Sequence, residues 1–180
     1  MNKILIHFSQ VYEALSLLDQ TAVQAVADVL KKIRLNGGTV YLCGNGGSHS
    51  TASHFANDLS KMGRMRAICL GDSVSITTAY GNDEGWENMY ASALTGKLHP
   101  NDVVIGISCS GNSMNVVNAL REGRLAGATT IGLTGMNRQS QMWKFLPDML
   151  VQVYGEDIRV QEDVHLIICH AIMRAMQENG

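Results

Sequence analysis

Two carboxylates and several histidines stand at spacings that could serve acid–base or metal chemistry. His54 and Asp58 are four residues apart, so on a helix both project from one face. That spacing suits two ligands of one ion, or a base and the partner that orients it, although an ordinary surface pair has the same spacing. Near the C-terminus, Glu162, Asp163, His165 and His170 interrupt an otherwise apolar segment. Glu162 and His165 share a helical face. Glu162 and His170 are separated by about 80° around a helix and about 12 Å along it. One ion could take both only if their side chains lean together, and supplying them from different subunits would avoid that strain. For His165 a half-buried, hydrogen-bonded histidine is the plainer reading.

A second kind of chemistry is offered by two loops. Gly44-Asn45-Gly46-Gly47-Ser48 follows the β-rich run Thr39–Cys43, and Cys109-Ser110-Gly111-Asn112-Ser113 follows Val103–Ser108. Glycine lets a backbone approach a ligand closely. The free amides of a following helix then point at an anion that the helix dipole favours, which makes Gly46 and Gly47 substrate-binding candidates. Ser48, Ser108, Ser110 and Ser113 add hydroxyl donors. A bound phosphate accounts for two such loops better than tight turns do. Neither loop is a Walker A sequence or a GxGxxG fingerprint, so no nucleotide cofactor is expected.

The elements that must position these residues follow from the apolar pattern. The first 35 residues read as helix, ended by Asn36-Gly37-Gly38. Strands are predicted at Thr39–Cys43, Arg66–Leu70, Val103–Ser108, Thr129–Leu133 and Met149–Val153, with helices at Ser50–Met62, after Ser113 to Leu125, and from Val160 to the end. Near-continuous apolar strands alternating with helices imply a parallel sheet covered on both faces, an α/β three-layer sandwich in one domain, 1–180. The loops then fall at the carboxyl ends of parallel strands, where such sheets hold ligands.

At these residues the sequence resembles the SIS (sugar isomerase) family, and within it the phosphoheptose isomerases. The matching stretches are LCGNGGSHS at 42–50, SHFANDL at 53–59, GND at 81–83, GISCSGNS at 106–113, LTG at 133–135 and RVQEDVHLIICH at 159–170. The resemblance implies a flavodoxin-like five-stranded sheet and a homotetramer with active sites between subunits. It places the phosphate-binding serines on Ser48, Ser108, Ser110 and Ser113, with Cys109 where the family usually has Thr. It places sugar contacts on Asn45 and Asp83, with Asp157 near another acidic contact. The catalytic pair becomes Asp58, where the family has Glu, and His170; the ligands of a zinc ion, where one is present, become His54, Asp58, Glu162 and His170. Asp58 draws its carboxylate back by roughly 1.5 Å, one C–C bond. The family's RIQExH appears as RVQEDVH, and fixing the register on the two histidines puts Glu162, rather than Gln161, at the ligand position. The activity implied is conversion of sedoheptulose 7-phosphate to its aldose through an enediol, toward heptose for a surface polysaccharide.

Two non-catalytic readings compete: a partner-binding protein of the DnaA initiator-associating type, and a phosphosugar sensor. The former lacks the catalytic histidine of the last helix, which this chain has in His170. The net charge of −2 and the lack of a basic cluster argue against nucleic acid; Lys61, Arg64 and Arg66 read as a solvated loop. Four scattered cysteines, no signal-like N-terminus and no membrane-length apolar run lead to the expectation of a cytoplasmic protein without disulfides. Trp86 and Tyr90 are read as packing residues near a pocket wall.

Overall fold

The computed structural model describes residues 2–177. Five parallel strands, β1 (Thr39–Cys43), β2 (Arg66–Cys69), β3 (Val103–Ser108), β4 (Thr129–Gly135) and β5 (Met149–Val153), form one sheet in the order β2-β1-β3-β4-β5. This is the flavodoxin-like order, and each strand lies where the apolar runs put it, to within two residues. Among the described residues eight α-helices cover the sheet. On one face lie α1 (Lys3–Ser16), α2 (Gln20–Leu35), α3 (Gly47–Lys61) and α8 (Ile158–Gln177); on the other lie α4 (Val74–Asp83), α5 (Met89–Leu94), α6 (Met114–Leu125) and α7 (Gln141–Phe145). The expected helical course of residues 178–180 lies outside the described residues.

The strands divide their side chains between two cores. Val103, Ile105 and Ile107 of β3 face the α2–α3–α8 layer, whereas Val104 faces α5 and α6. On that second face β3 carries Gly106, where a Cβ would lie 2.8 Å from Val116 and 3.0 Å from Leu120 of α6. The missing side chain lets α6 settle onto the strand, and its N-terminus with it.

Two expectations need correction. Residues 3–35 form two helices rather than one, broken at Leu17–Asp19. Asp19 caps α2, its Oδ1 accepting from the backbone N–H groups of Thr21 (3.0 Å) and Ala22 (3.1 Å); this N-cap satisfies amides that a continuous helix would have bonded internally. The segment between β2 and β3 also holds α4 and α5, which the apolar pattern did not announce, since α4 buries none of its residues. Among the described residues no helix is long and apolar enough to cross a membrane.

Candidate active site

β1 and β3 are neighbours, with Cys43 beside Gly106, so the loops leaving their carboxyl ends stand side by side. One feeds α3 on the first face and the other α6 on the second. That divergence is the topological switch point, where open α/β sheets leave a crevice. Gly46 takes φ +55° at the start of α3, a left-handed conformation that a side chain would oppose. The loop is braced from below by Tyr90, buried on α5, whose hydroxyl donates to the Gly44 carbonyl (2.8 Å). Tyr90 therefore supports the site from beneath, while Trp86 is exposed.

The two loops are tied to each other. Asn45 and the buried Asn115 exchange amide hydrogen bonds, Nδ2 to Oδ1 in each direction at 2.9 Å. Ser48 Oγ lies 3.8 Å from Cys109 Sγ, and Ser108 Oγ donates to Ser113 Oγ (3.1 Å). Ser110 Oγ accepts from the N–H of Asn112 (3.1 Å), which holds the second loop curled. Gly47 faces the carboxylate of Glu162 on α8: a Cβ there would lie 2.4 Å from the carboxyl carbon. Nine expected residues, Asn45, Gly46, Gly47, Ser48, Ser108, Cys109, Ser110, Ser113 and Glu162, thus meet at one rim of the sheet. Asn115 was not singled out by sequence; an Asn on the first turn of a helix otherwise reads as a surface residue.

Along α3 and α8 a second cluster forms. His54 Nε2 lies 3.5 Å from Asp58 Oδ2, His170 Nε2 lies 4.0 Å from the same oxygen, and the two imidazole nitrogens are 3.5 Å apart. The Asp58 side chain is 9% exposed and the histidines about half exposed, 48% and 49%. The three donors lie within 4.8 Å of one another. With zinc–nitrogen and zinc–oxygen bonds of about 2.0–2.2 Å, tetrahedral ligands sit about 3.3–3.5 Å apart. The trio therefore fits a three-ligand zinc site with an open fourth position after small side-chain adjustments.

Glu162 is not among these three donors, because its carboxylate is turned to Gly47 instead. Of the two candidates for that position, Gln161 points inward, its amide donating to the Gly155 carbonyl (2.6 Å), and Glu162 faces the first loop. Asp83 ends α4, exposed and held by the Asn82 amide (2.7 Å). Asp157 pairs with Arg159 (2.6 Å) at the start of α8, which holds its carboxyl at about 2. Among the described residues, neither carboxylate is hydrogen-bonded or ion-paired to the loops or the trio. Lys61, Arg64 and Arg66 are exposed, and Arg66 donates to the Gly37 carbonyl at the opposite end of the sheet.

Beneath the second loop lies His165, fully buried, with Nδ1 3.7 Å from Cys109 Sγ and Nε2 without a hydrogen-bond partner. Burial holds its pKa down at about 4, against a smaller opposing contribution from the Thr134 backbone. His165 is a neutral residue of the floor. Cys109 is pushed above the ordinary thiol value by burial, with the Glu162 charge adding to the effect and Ser48 opposing it.

A β2-β1-β3-β4-β5 sheet with glycine- and serine-rich loops at its switch point defines an α/β class that holds ligands at the carboxyl ends of its strands. The SIS domain profile matches residues 6–135, and the chain belongs to the SIS-domain family. Its relatives include a phosphoheptose isomerase of Burkholderia pseudomallei, 37% identical over 83% of this chain and 78% of that one. Another, from Helicobacter pylori, is 32% identical over 98% and 93%. The solved phosphoheptose isomerase of Neisseria gonorrhoeae superimposes with a TM-score of 0.86 at 29% identity, covering 97% of this chain and 95% of that one.

Proposed function

We propose that the chain is an aldose–ketose phosphosugar isomerase that interconverts sedoheptulose 7-phosphate and D-glycero-D-manno-heptose 7-phosphate in the cytoplasm, supplying heptose for a surface polysaccharide. The observation that carries this reading is the buried Asp58 carboxylate between His54 and His170, on a chain whose relatives are phosphoheptose isomerases. A partner-binding role would leave that convergence unexplained.

The phosphate settles on the second loop. Glu162 stands over Gly47, so a dianion is displaced from that edge of the first loop toward Ser108, Ser110 and Ser113, with Ser48, 3.8 Å from Cys109, as the first loop's donor. Asn45 and Glu162 then face the sugar hydroxyls, and the remote phosphate anchors the carbons for proton transfer. Asp58 removes the proton from the carbon beside the carbonyl, giving a cis-enediol. His170 passes protons between the two oxygens, and His54 orients the Asp58 carboxylate. His54, Asp58 and His170 would hold zinc, which when bound supplies Lewis-acid polarisation of the substrate oxygens.

Along α3 the trio stands about 10 Å (His54) to about 16 Å (Asp58) from Gly47. A homotetramer with sites between subunits closes this gap with a neighbour's trio. The exposed stripe Ile4, Leu5, Phe8 and Tyr12 on α1 supports such an assembly, each being at least 60% exposed.

The test is turnover of sedoheptulose 7-phosphate followed by NMR, with and without zinc. Appearance of the aldose, abolished by His170→Ala, is expected; a protein that binds the sugar phosphate but never turns it over would be a sensor. Mixing Ser110→Ala/Ser113→Ala protein with His170→Ala protein probes the shared site. Recovered activity supports it, and its absence in mixed oligomers refutes it.

A further inference from the structure

A second cluster of metal-ligating side chains stands beside the first loop, outside the steps proposed above. His49 lies in the first turn of α3, Cys69 ends β2, and Asp72 closes the short 3-10 turn that follows. His49 Nδ1 is 3.6 Å from Cys69 Sγ, and His49 Nε2 is 3.4 Å from Asp72 Oδ1. We propose that His49, Cys69 and Asp72 form a mononuclear site for a borderline divalent metal ion of the zinc type, separate from the His54–Asp58–His170 trio.

The donor set is selective. One thiolate, one imidazole and one carboxylate favour zinc, cobalt or nickel over magnesium or calcium, which take oxygen ligands. The spacing fits as well. Bonds of about 2.3 Å to sulfur and about 2.0–2.2 Å to nitrogen and oxygen give ligand separations of about 3.4–3.6 Å at tetrahedral angles. A ligand atom from each residue lies within 4.8 Å of the others. Because the two close contacts use opposite ring nitrogens, a modest swing of the half-exposed Asp72 carboxylate brings it to the nitrogen that faces Cys69.

The surroundings prepare the ligands. Ser53, one turn along α3 from His49, donates to Asp72 Oδ2 (3.0 Å), an outer-shell hydrogen bond that leaves Oδ1 free to turn toward the ion. Gly71 leaves room for the ring, since a Cβ there would lie 2.7 Å from it. Cys69, Asp72 and Ser53 line an open cleft of about 580 Å³ between α3 and the turn after β2. An ion can enter there and keep water as its fourth ligand. Bound, it pins the turn after β2 to the first turn of α3, and so to the loop that carries Ser48.

Cobalt(II) is the probe, added to the whole protein carrying Asp58→Asn and His170→Gln so that the trio no longer binds. One cobalt per chain with an intense thiolate-to-cobalt charge-transfer band in the near ultraviolet is expected. Adding Cys69→Ser should remove the band, and adding His49→Asn or Asp72→Asn should weaken binding by about tenfold or more. No charge-transfer band, or a band that survives Cys69→Ser, overturns the site. If Cys69→Ser fails to fold, unchanged cobalt affinity in His49→Asn and Asp72→Asn does the same. Isomerase turnover is read separately, so loss of one result leaves the other standing.

Discussion

His165 gives the chain a pH-dependent stability that can be calculated before it is measured. Its imidazole is neutral and fully buried on α8 under the second loop, with a pKa of about 4 against 6.5 for a free side chain. Between those values the unfolded chain binds a proton that the folded chain does not, so stability falls as pH drops through 6.5 toward 4. At 1.36 kcal/mol per unit, the full loss is about 3 kcal/mol, of which about 2 kcal/mol is already gone near pH 5. With a urea m-value of about 2 kcal/mol/M, the unfolding midpoint should drop by about 1 M between pH 7.5 and pH 5. The assay is urea unfolding at fixed protein concentration, comparing wild type with His165→Gln. The variant is less stable throughout, but its midpoint should lack most of this pH-dependent drop. Parallel losses in the two proteins would falsify the assignment of His165 as a buried neutral residue.

Other consequences can be checked on the proposed site. Asp58→Asn should lower kcat by at least about 100-fold while the sugar phosphate still binds, as expected when a general base is removed; near-normal kcat would exclude Asp58 as the base. Ser110→Ala should raise KM about tenfold, the effect of one hydrogen bond to a charged group, with a smaller change in kcat. Gly47→Ala, whose Cβ would meet the Glu162 carboxylate at 2.4 Å, should cost at least about tenfold in kcat/KM with the melting temperature little changed; a fully active variant would show that Glu162 moves freely.

The centre of the sheet was legible because β3 and β4 are buried on both faces and therefore read as near-continuous apolar runs, as in Val103–Ile107. The loops were legible because glycine and serine mark close backbone approach at the ends of those runs. The break at Leu17–Asp19 was hidden: the apolar spacing continues across it, and only the Asp19 cap reveals a second start. Likewise α4 packs no residue deeply enough to leave a period in the sequence. At the site, the i, i+4 spacing of His54 and Asp58 was readable, but their meeting with His170 depends on how α3 packs on α8. The choice between Gln161 and Glu162 turned on helix rotation, since adjacent residues point about 100° apart. His49, Cys69 and Asp72 carry no recognisable spacing, because α3 and the turn after β2 are brought together only by the fold.

The reciprocal amides of Asn45 and Asn115 belong to opposite layers of the molecule, one on the loop that enters α3 and the other on the first turn of α6. They act as a strap over the top of the sheet. Neither loop can open without stranding a donor and an acceptor on the other, so the two should exchange their amide hydrogens with solvent as one cooperative unit. On the proposed binding mode, a phosphate that orders Ser108–Ser113 would order Gly44–Ser48 in the same event. The entropy of arranging the sugar end of the crevice would then be settled when the phosphate arrives, before any carbon reaches the proposed base.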